Sequence, residues 1–227
     1  MRGLEPAIIC TETETAQRFL AGAYDSVDAV FTNLQTVRQV RRDRGENVTG
    51  RLPGSEEDLL RAAIVFAAAG MDSALKRLIE DSLPSLLLAS DSVHKKFEAF
   101  VRSRLEHDSA PATLAKYLIA PAPREAVIVD YLCSLTGESL QSVEQLQKVA
   151  GALGLNDSTL RQEISDIKPL FLARNEISHE LDLLHTQRQG DRSRRTRRIG
   201  PTETLVHQGL NLTQKMLNGV AAALGGS

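Results

Sequence analysis

From Ala62 to Met71 every residue is apolar or Gly. A helix that is hydrophobic on all sides has no face to give to water, so this segment belongs at the centre of a packed bundle. The run falls short of the ~18 consecutive apolar residues a membrane span requires, and no other run in the chain exceeds it. It therefore reads as core, and no membrane association is expected. Aromatic residues make up only 4% of the chain and Trp is absent. The interior must then be built from Leu, Ala, Val and Ile, which suits helices packed on helices. A length of 227 residues fits one domain, or one domain carrying a sizeable insertion.

The rest of the chain carries helical spacing throughout. Between about Glu12 and Arg42, the residues Ala16, Leu20, Ala23, Val27, Val30, Leu34 and Val37 recur at alternating steps of four and three. They mark one apolar stripe on a long helix. Ser55-Glu56-Glu57-Asp58 is a capping-box pattern that opens the next helix. Pro84 punctuates the connection to a third, whose buried face is Val93, Phe97, Phe100, Val101 and Leu105. Pro111, Pro121 and Pro123 place a loop region around a short helix, Thr113 to Ile119. Helices follow at about Glu125–Leu135 and Ser139–Leu153. Asp157 or Thr159 caps the next one, and Pro169 should kink or restart it. That pattern continues to about Leu184, and a last helix runs from about Pro201 to Leu224. No segment alternates with period two. The expected fold class is all-α: a helical bundle spanning 1–227, with residues 108–155 as a helical insertion.

Several chemistries find no support. Cys10 and Cys133 are the only cysteines and form no CxxC, so neither a disulfide framework nor a thiolate zinc site is expected, and the pattern fits a reducing cytosol. The N-terminus has no charged-then-apolar signal pattern. There is no glycine-rich phosphate loop, no HExxH and no GxSxG. His179 and His185 do not have metal-ligand spacing. No metal and no cofactor is expected. The net charge of −2 does not advertise nucleic acid, so the distribution of charge matters more.

One arrangement can do chemistry without any of these. In Arg174-Asn175-Glu176-Ile177-Ser178-His179, a helical turn of about 100° per residue gathers Arg174, Ser178, Asn175 and His179 on one arc of about 140°. Leu170, Ala173, Ile177 and Leu181 fall on the other side. Arg offers a fixed cationic fork for phosphate oxygens, and His can move a proton near neutral pH. RNA brings its own nucleophile, the 2′-hydroxyl, so a site has only to hold the phosphate, stabilise its charge and transfer protons. The spacing occurs twice, however. Arg102-Ser103-Arg104-Leu105-Glu106-His107 has the same wheel geometry. Spacing does not choose between them; context does. The 102–107 match ends a charge-studded helix, whereas Arg174 follows the apolar run Leu170-Phe171-Leu172-Ala173 and is followed directly by Asn.

Arg174-Asn175-Glu176-Ile177-Ser178-His179 resembles the Arg-Asn-x-x-x-His signature of HEPN domains (higher eukaryotes and prokaryotes nucleotide-binding). Asp58-Leu59-Leu60-Arg61-Ala62-Ala63 and the Ala-rich segment through Lys76 are similar to an early helix of its defence-associated branches. The resemblance covers roughly 55–107 and 157–224. It implies a small helical bundle and a metal-independent endoribonuclease in which Arg174 and His179 are the catalytic pair, supported by Asn175. It further implies a homodimer with two motifs facing one cleft, a 2′,3′-cyclic phosphate product, and a bacterial toxin or antiphage role with an antitoxin or regulatory partner. One departure stands out: toxins of the family paired with a nucleotidyltransferase antitoxin often carry Tyr two residues after the His, and here that residue is Leu181. The family also contains inactive members, so a non-catalytic RNA-binding or protein-interaction module is the alternative.

Six arginines, Arg188, Arg192, Arg194, Arg195, Arg197 and Arg198, lie within eleven residues soon after the motif, and only Asp191 opposes them locally. Such a cluster can neutralise RNA phosphates; equally, it can be a solvated loop. No aromatic residue interleaves it, so base stacking is not expected there.

Overall fold

The structure is a computed structural model that describes residues 3–106, 110–185, 187 and 192–226. Among these the fold is all-α. Nine helices follow one another: α1 (Glu14–Asp43), α2 (Gly54–Ala89), α3 (Asp91–Glu106), α4 (Ala110–Leu118), α5 (Pro123–Thr136), α6 (Val143–Ala152), α7 (Ser158–Asp166), α8 (Lys168–Glu180) and α9 (Ile199–Ala223). The one extended pairing is an isolated antiparallel bridge between Leu183 and Arg194. Among the described residues no helix is long and apolar enough to cross a membrane.

The apolar run does lie at the centre. Helix α2 packs against α1, α9, α8, α3 and α5, and its residues Leu60, Ala63, Ile64, Ala67, Met71, Leu75, Leu78 and Ile79 are fully or almost fully buried. It is not covered on every side, because Phe66 is about half exposed beside Phe19 of α1. The helices approach closely where side chains are small. A Cβ on Gly70 would lie 2.1 Å from Cβ of Ala23, and one on Gly209 would lie 2.5 Å from Cδ2 of Leu170. Only glycine lets α1 and α9 sit this near their partners.

Of the predicted stripe of α1, Ala16, Leu20, Val27 and Leu34 are buried and Ala23 and Val30 partly so, but Val37 is exposed. The last turns of α1 are held instead by ion pairs from Arg38 and Arg41 to the buried Glu56 of α2. This overturns the capping-box reading. Helix α2 starts at Gly54 after Pro53, with no side-chain cap, and Ser55 lies inside the first turn. Glu56 and Glu57 turn inward to arginines rather than back to the helix end. Pro84 likewise does not break the chain: α2 continues five residues beyond it. A proline inside a helix costs about 3 kcal/mol. Burying Leu83, Leu86 and Leu87 on either side of it offsets that, at roughly 1.5–3 kcal/mol for each side chain.

The 108–155 stretch does not stand apart. Tyr131, Leu135, Leu140, Leu146, Val149 and Leu153 join the same apolar cluster as α2. Asp157 caps α7 by accepting from the Leu160 amide at 3.0 Å. Ile167 then separates α7 from α8, and Pro169 sits in the first turn of α8, so the chain restarts there as the sequence indicates. Helix α8 ends at Glu180, four residues earlier than its periodicity suggests.

Candidate functional site

The motif occupies the second half of α8. Leu170, Phe171 and Ala173 are buried against the bundle, while Asn175, Ser178 and His179 are exposed and Arg174 is half-buried. The polar arc predicted from the wheel is thus presented to solvent. Arg174 Nη1 donates to Asn175 Oδ1 at 2.9 Å, which joins two of the three proposed site residues directly. His179 makes no hydrogen bond among the described residues; it stands in the last turn of the helix. Leu181 is not on the buried side. It is 66% exposed and adopts a left-handed backbone with φ of 51°, which stops the helix. Of the competing match, Arg102 is tied to Glu98 on an exposed face, and His107 lies outside the described residues.

What stops α8 is a feature that periodicity cannot reveal. Asp182 follows Leu181 in the same left-handed region, with φ of 62°, and is fully buried. Its carboxylate accepts from Arg61 Nε at 2.8 Å and from Arg197 Nη2 and Nε at 2.6 and 3.0 Å. Burial alone would raise the Asp182 pKa, but the two guanidiniums outweigh it and hold it below the ordinary carboxylate value. Arg61, itself buried, also reaches Glu57, Asp58 and the backbone oxygen of Arg195. A buried charge of either sign is tolerated only when paired and hydrogen-bonded in this way. The clamp therefore ties the start of α2, the end of α8 and the approach to α9 at one point. Glu176, inside the motif, belongs to it through Arg197 at 3.2 Å and Arg195 at 3.3 Å.

These contacts change the reading of the arginine cluster. Asp191, the only local acid, lies outside the described residues, as does Arg188. The opposing charge comes from elsewhere in the fold. Arg194 pairs with Asp58 at 2.6 Å and donates to the Leu181 carbonyl at 3.0 Å; Arg195 and Arg197 pair with Glu176, and Arg197 also with Asp182. Three of the six arginines are thus committed to holding the chain in place. Arg192 and Arg198 have no ion-pair partner among the described residues and are exposed. Backbone pairing adds to the hold: Leu184 N donates to Ser193 O, and Arg195 N to Asp182 O, each at 2.8 Å.

Next to this clamp lies an open cavity of about 660 Å³ lined by Arg38, Arg51, Leu52, Arg197, Arg198 and Ile199, among others. Four of its lining residues are arginines and none is acidic. Arg38 and Arg51 come from the end of α1 and the loop after it, far in sequence from the cluster, so no local pattern could have joined them to Arg197 and Arg198. Arg197 belongs both to the cavity wall and to the contact with Glu176 on α8. The cavity and the motif helix therefore share a side chain.

Among the described residues no three His, Cys, Asp or Glu side chains cluster so as to hold a metal ion. No family model, curated protein or solved structure matches the chain.

Proposed function

We propose that the protein is a metal-independent endoribonuclease of HEPN type, with Arg174 and His179 as its catalytic pair and Asn175 as their support. The supporting observation is the Arg174–Asn175 pair and the exposed His179 on one helix, whose Glu176 pairs with Arg197 in the wall of a cavity whose charged lining is arginine alone. In this reading the cavity takes the RNA backbone, since guanidinium groups match phosphate oxygens in charge and shape. Arg174 steadies the reacting phosphate. The 2′-oxygen attacks phosphorus and loses its proton to a base, the bond to the 5′-oxygen breaks, and that oxygen takes up a proton; His179 is the group suited to these transfers. The product is a 2′,3′-cyclic phosphate and a 5′-hydroxyl. Two motifs meet in a homodimer, and a bacterial toxin or antiphage role with a neutralising or regulatory partner in the cytoplasm completes the proposal.

The test is cleavage of end-labelled RNA by the full chain in EDTA, with the cyclic phosphate identified on the product. His179→Ala should lower the rate at least a hundredfold, as loss of general acid–base catalysis does, with unchanged helical circular dichroism. Full activity in that variant would sink the catalytic assignment.

One observation favours a second reading. His179 lacks an orienting hydrogen bond among the described residues, whereas a catalytic His is usually steered by a partner on its second nitrogen. A non-catalytic RNA-binding or protein-interaction module on the same bundle would show salt-dependent RNA binding without cleavage.

A further inference from the structure

A second cleft lies among α3, α5 and α6, within the stretch that the motif reading leaves without a role. Its volume is about 490 Å³, in the range that small organic ligands occupy. Its lining comes from all three helices: Lys96, Phe100, Ser103 and Arg104 from α3; Tyr131, Ser134 and Leu135 from α5; Gln147, Lys148, Gly151 and Ala152 from α6.

The charge there has one sign. Three lining side chains are cationic and none is acidic. Arg104 is partly neutralised by Asp130 at 3.2 Å and lies over the Phe100 ring, 5.1 Å from its centre. Lys148 donates to the Ser134 carbonyl at 2.8 Å but has no carboxylate partner among the described residues, and Lys96 has none either. At the other cavity Arg38, Arg51 and Arg197 are balanced by buried acids; here the lysines are not.

The wall of the cleft offers a phenolic hydroxyl. Tyr131 is only 5% exposed and packs against Phe97 and Phe100, with ring centres 5.4 and 4.8 Å apart. Its hydroxyl makes no hydrogen bond among the described residues. Burial pushes its pKa up to about 12, so it keeps its proton and can donate to an anion. The oxygen is not sealed from solvent, so water in the cleft satisfies it until a ligand oxygen takes that place. Ser103 and Ser134 add hydroxyls at the same place.

We propose that this cleft binds a small organic phosphate, with Lys96, Lys148 and Arg104 around the phosphate and the Tyr131 hydroxyl donating to one of its oxygens. An oxyanion answers the unopposed cations and can accept from the Tyr131 hydroxyl, and the cleft is larger than a phosphate group alone requires. The organic part sits along Phe100, Leu135 and Ala152. Nothing in this assignment depends on the ribonuclease reading, since none of its residues belongs to α8 or the arginine cluster.

Isothermal titration of the full chain with AMP, ATP, ribose 5-phosphate and inorganic phosphate tests the site and separates nucleotides from sugar phosphates. At least one organic phosphate should bind with a Kd below about 1 mM and more tightly than inorganic phosphate. Exchanging both exposed lysines, Lys96→Ala with Lys148→Ala, should weaken it at least tenfold, as loss of charge-assisted hydrogen bonds does. Tyr131→Phe, which keeps the ring packing, should weaken it severalfold. Arg192→Ala with Arg198→Ala should leave it unchanged. The proposal is overturned if none of the organic phosphates binds below that level, if inorganic phosphate binds as tightly, or if binding survives the double lysine change. It is equally overturned if binding is lost with Arg192 and Arg198, which would assign it to the other cavity.

Discussion

Asp182 is the residue on which the end of the motif helix depends. It is a buried anion in a backbone conformation that few non-glycine residues adopt, and it persists because Arg61 and Arg197 hold it from two sides. Replacing it leaves Arg61 buried with Glu57 and Asp58 but without its central partner. Breaking a buried pair from one side costs about 3–5 kcal/mol, and the remaining acids put Asp182→Asn near the lower end. Urea unfolding at neutral pH would measure it. The pH dependence has a definite sign. The folded-state pKa lies below the unfolded value of about 3.9. The carboxylate's contribution is therefore fully present above about pH 5, and it fades as pH falls through the unfolded and then the folded value. Asp182→Asn should flatten the stability curve of the native protein between about pH 5 and pH 2. An unchanged acid limb in the variant would show that other carboxylates govern it.

At the level of elements, apolar periodicity found nearly every helix, because that signal is the same as the buried face it creates. It also found the restart at Pro169, because a missing amide and a ring clash act locally. The readings that failed were decided by distant groups. Ser55 with Asp58 looks like a cap, but Asp58 pairs with Arg61 and Arg194 instead. Leu181 continues the apolar spacing of α8, yet the Asp182 clamp to α2 ends the helix before it. Pro84 looks like a terminus, but the leucines around it pack against the core on both sides. Pro84→Ala should therefore restore a missing bond and relieve a clash without moving α2. Stability should rise, by as much as about 3 kcal/mol, seen as a higher Tm. A lower Tm would mean that a bend at Pro84 is needed for packing. Of the candidate site, the helix and its exposed arc were legible. The involvement of Arg38, Arg51, Arg61 and Asp182 was not, because their meeting depends on tertiary packing alone.

Across the whole molecule, arginines divide into those that hold the fold and those that remain for a ligand. If the chain binds RNA, the two kinds should behave differently. Arg192→Ala and Arg198→Ala should each reduce the slope of log K against log salt by about 1, with stability unchanged. Arg197→Ala should instead lower stability first, because it removes partners from both Asp182 and Glu176. Salt-titrated RNA binding alongside urea denaturation separates these outcomes. Equal salt effects from all three with no loss of stability would dissolve the distinction.

The hydrogen bonds that pair Leu184 with Ser193 and Arg195 with Asp182 join the two sides of the connection between α8 and α9. Each side of that connection is fastened to the bundle by its own contacts, and α9 buries Val206, Leu210, Met216, Leu217 and Val220 in the core. Covalent continuity between α8 and α9 is then not what keeps α9 in place. The gene should tolerate being divided there. Fragments 1–187 and 188–227, made separately in one cell, should find each other and copurify as a split protein, and the division point offers a position where a reporter or a ligand-gated switch can be spliced in.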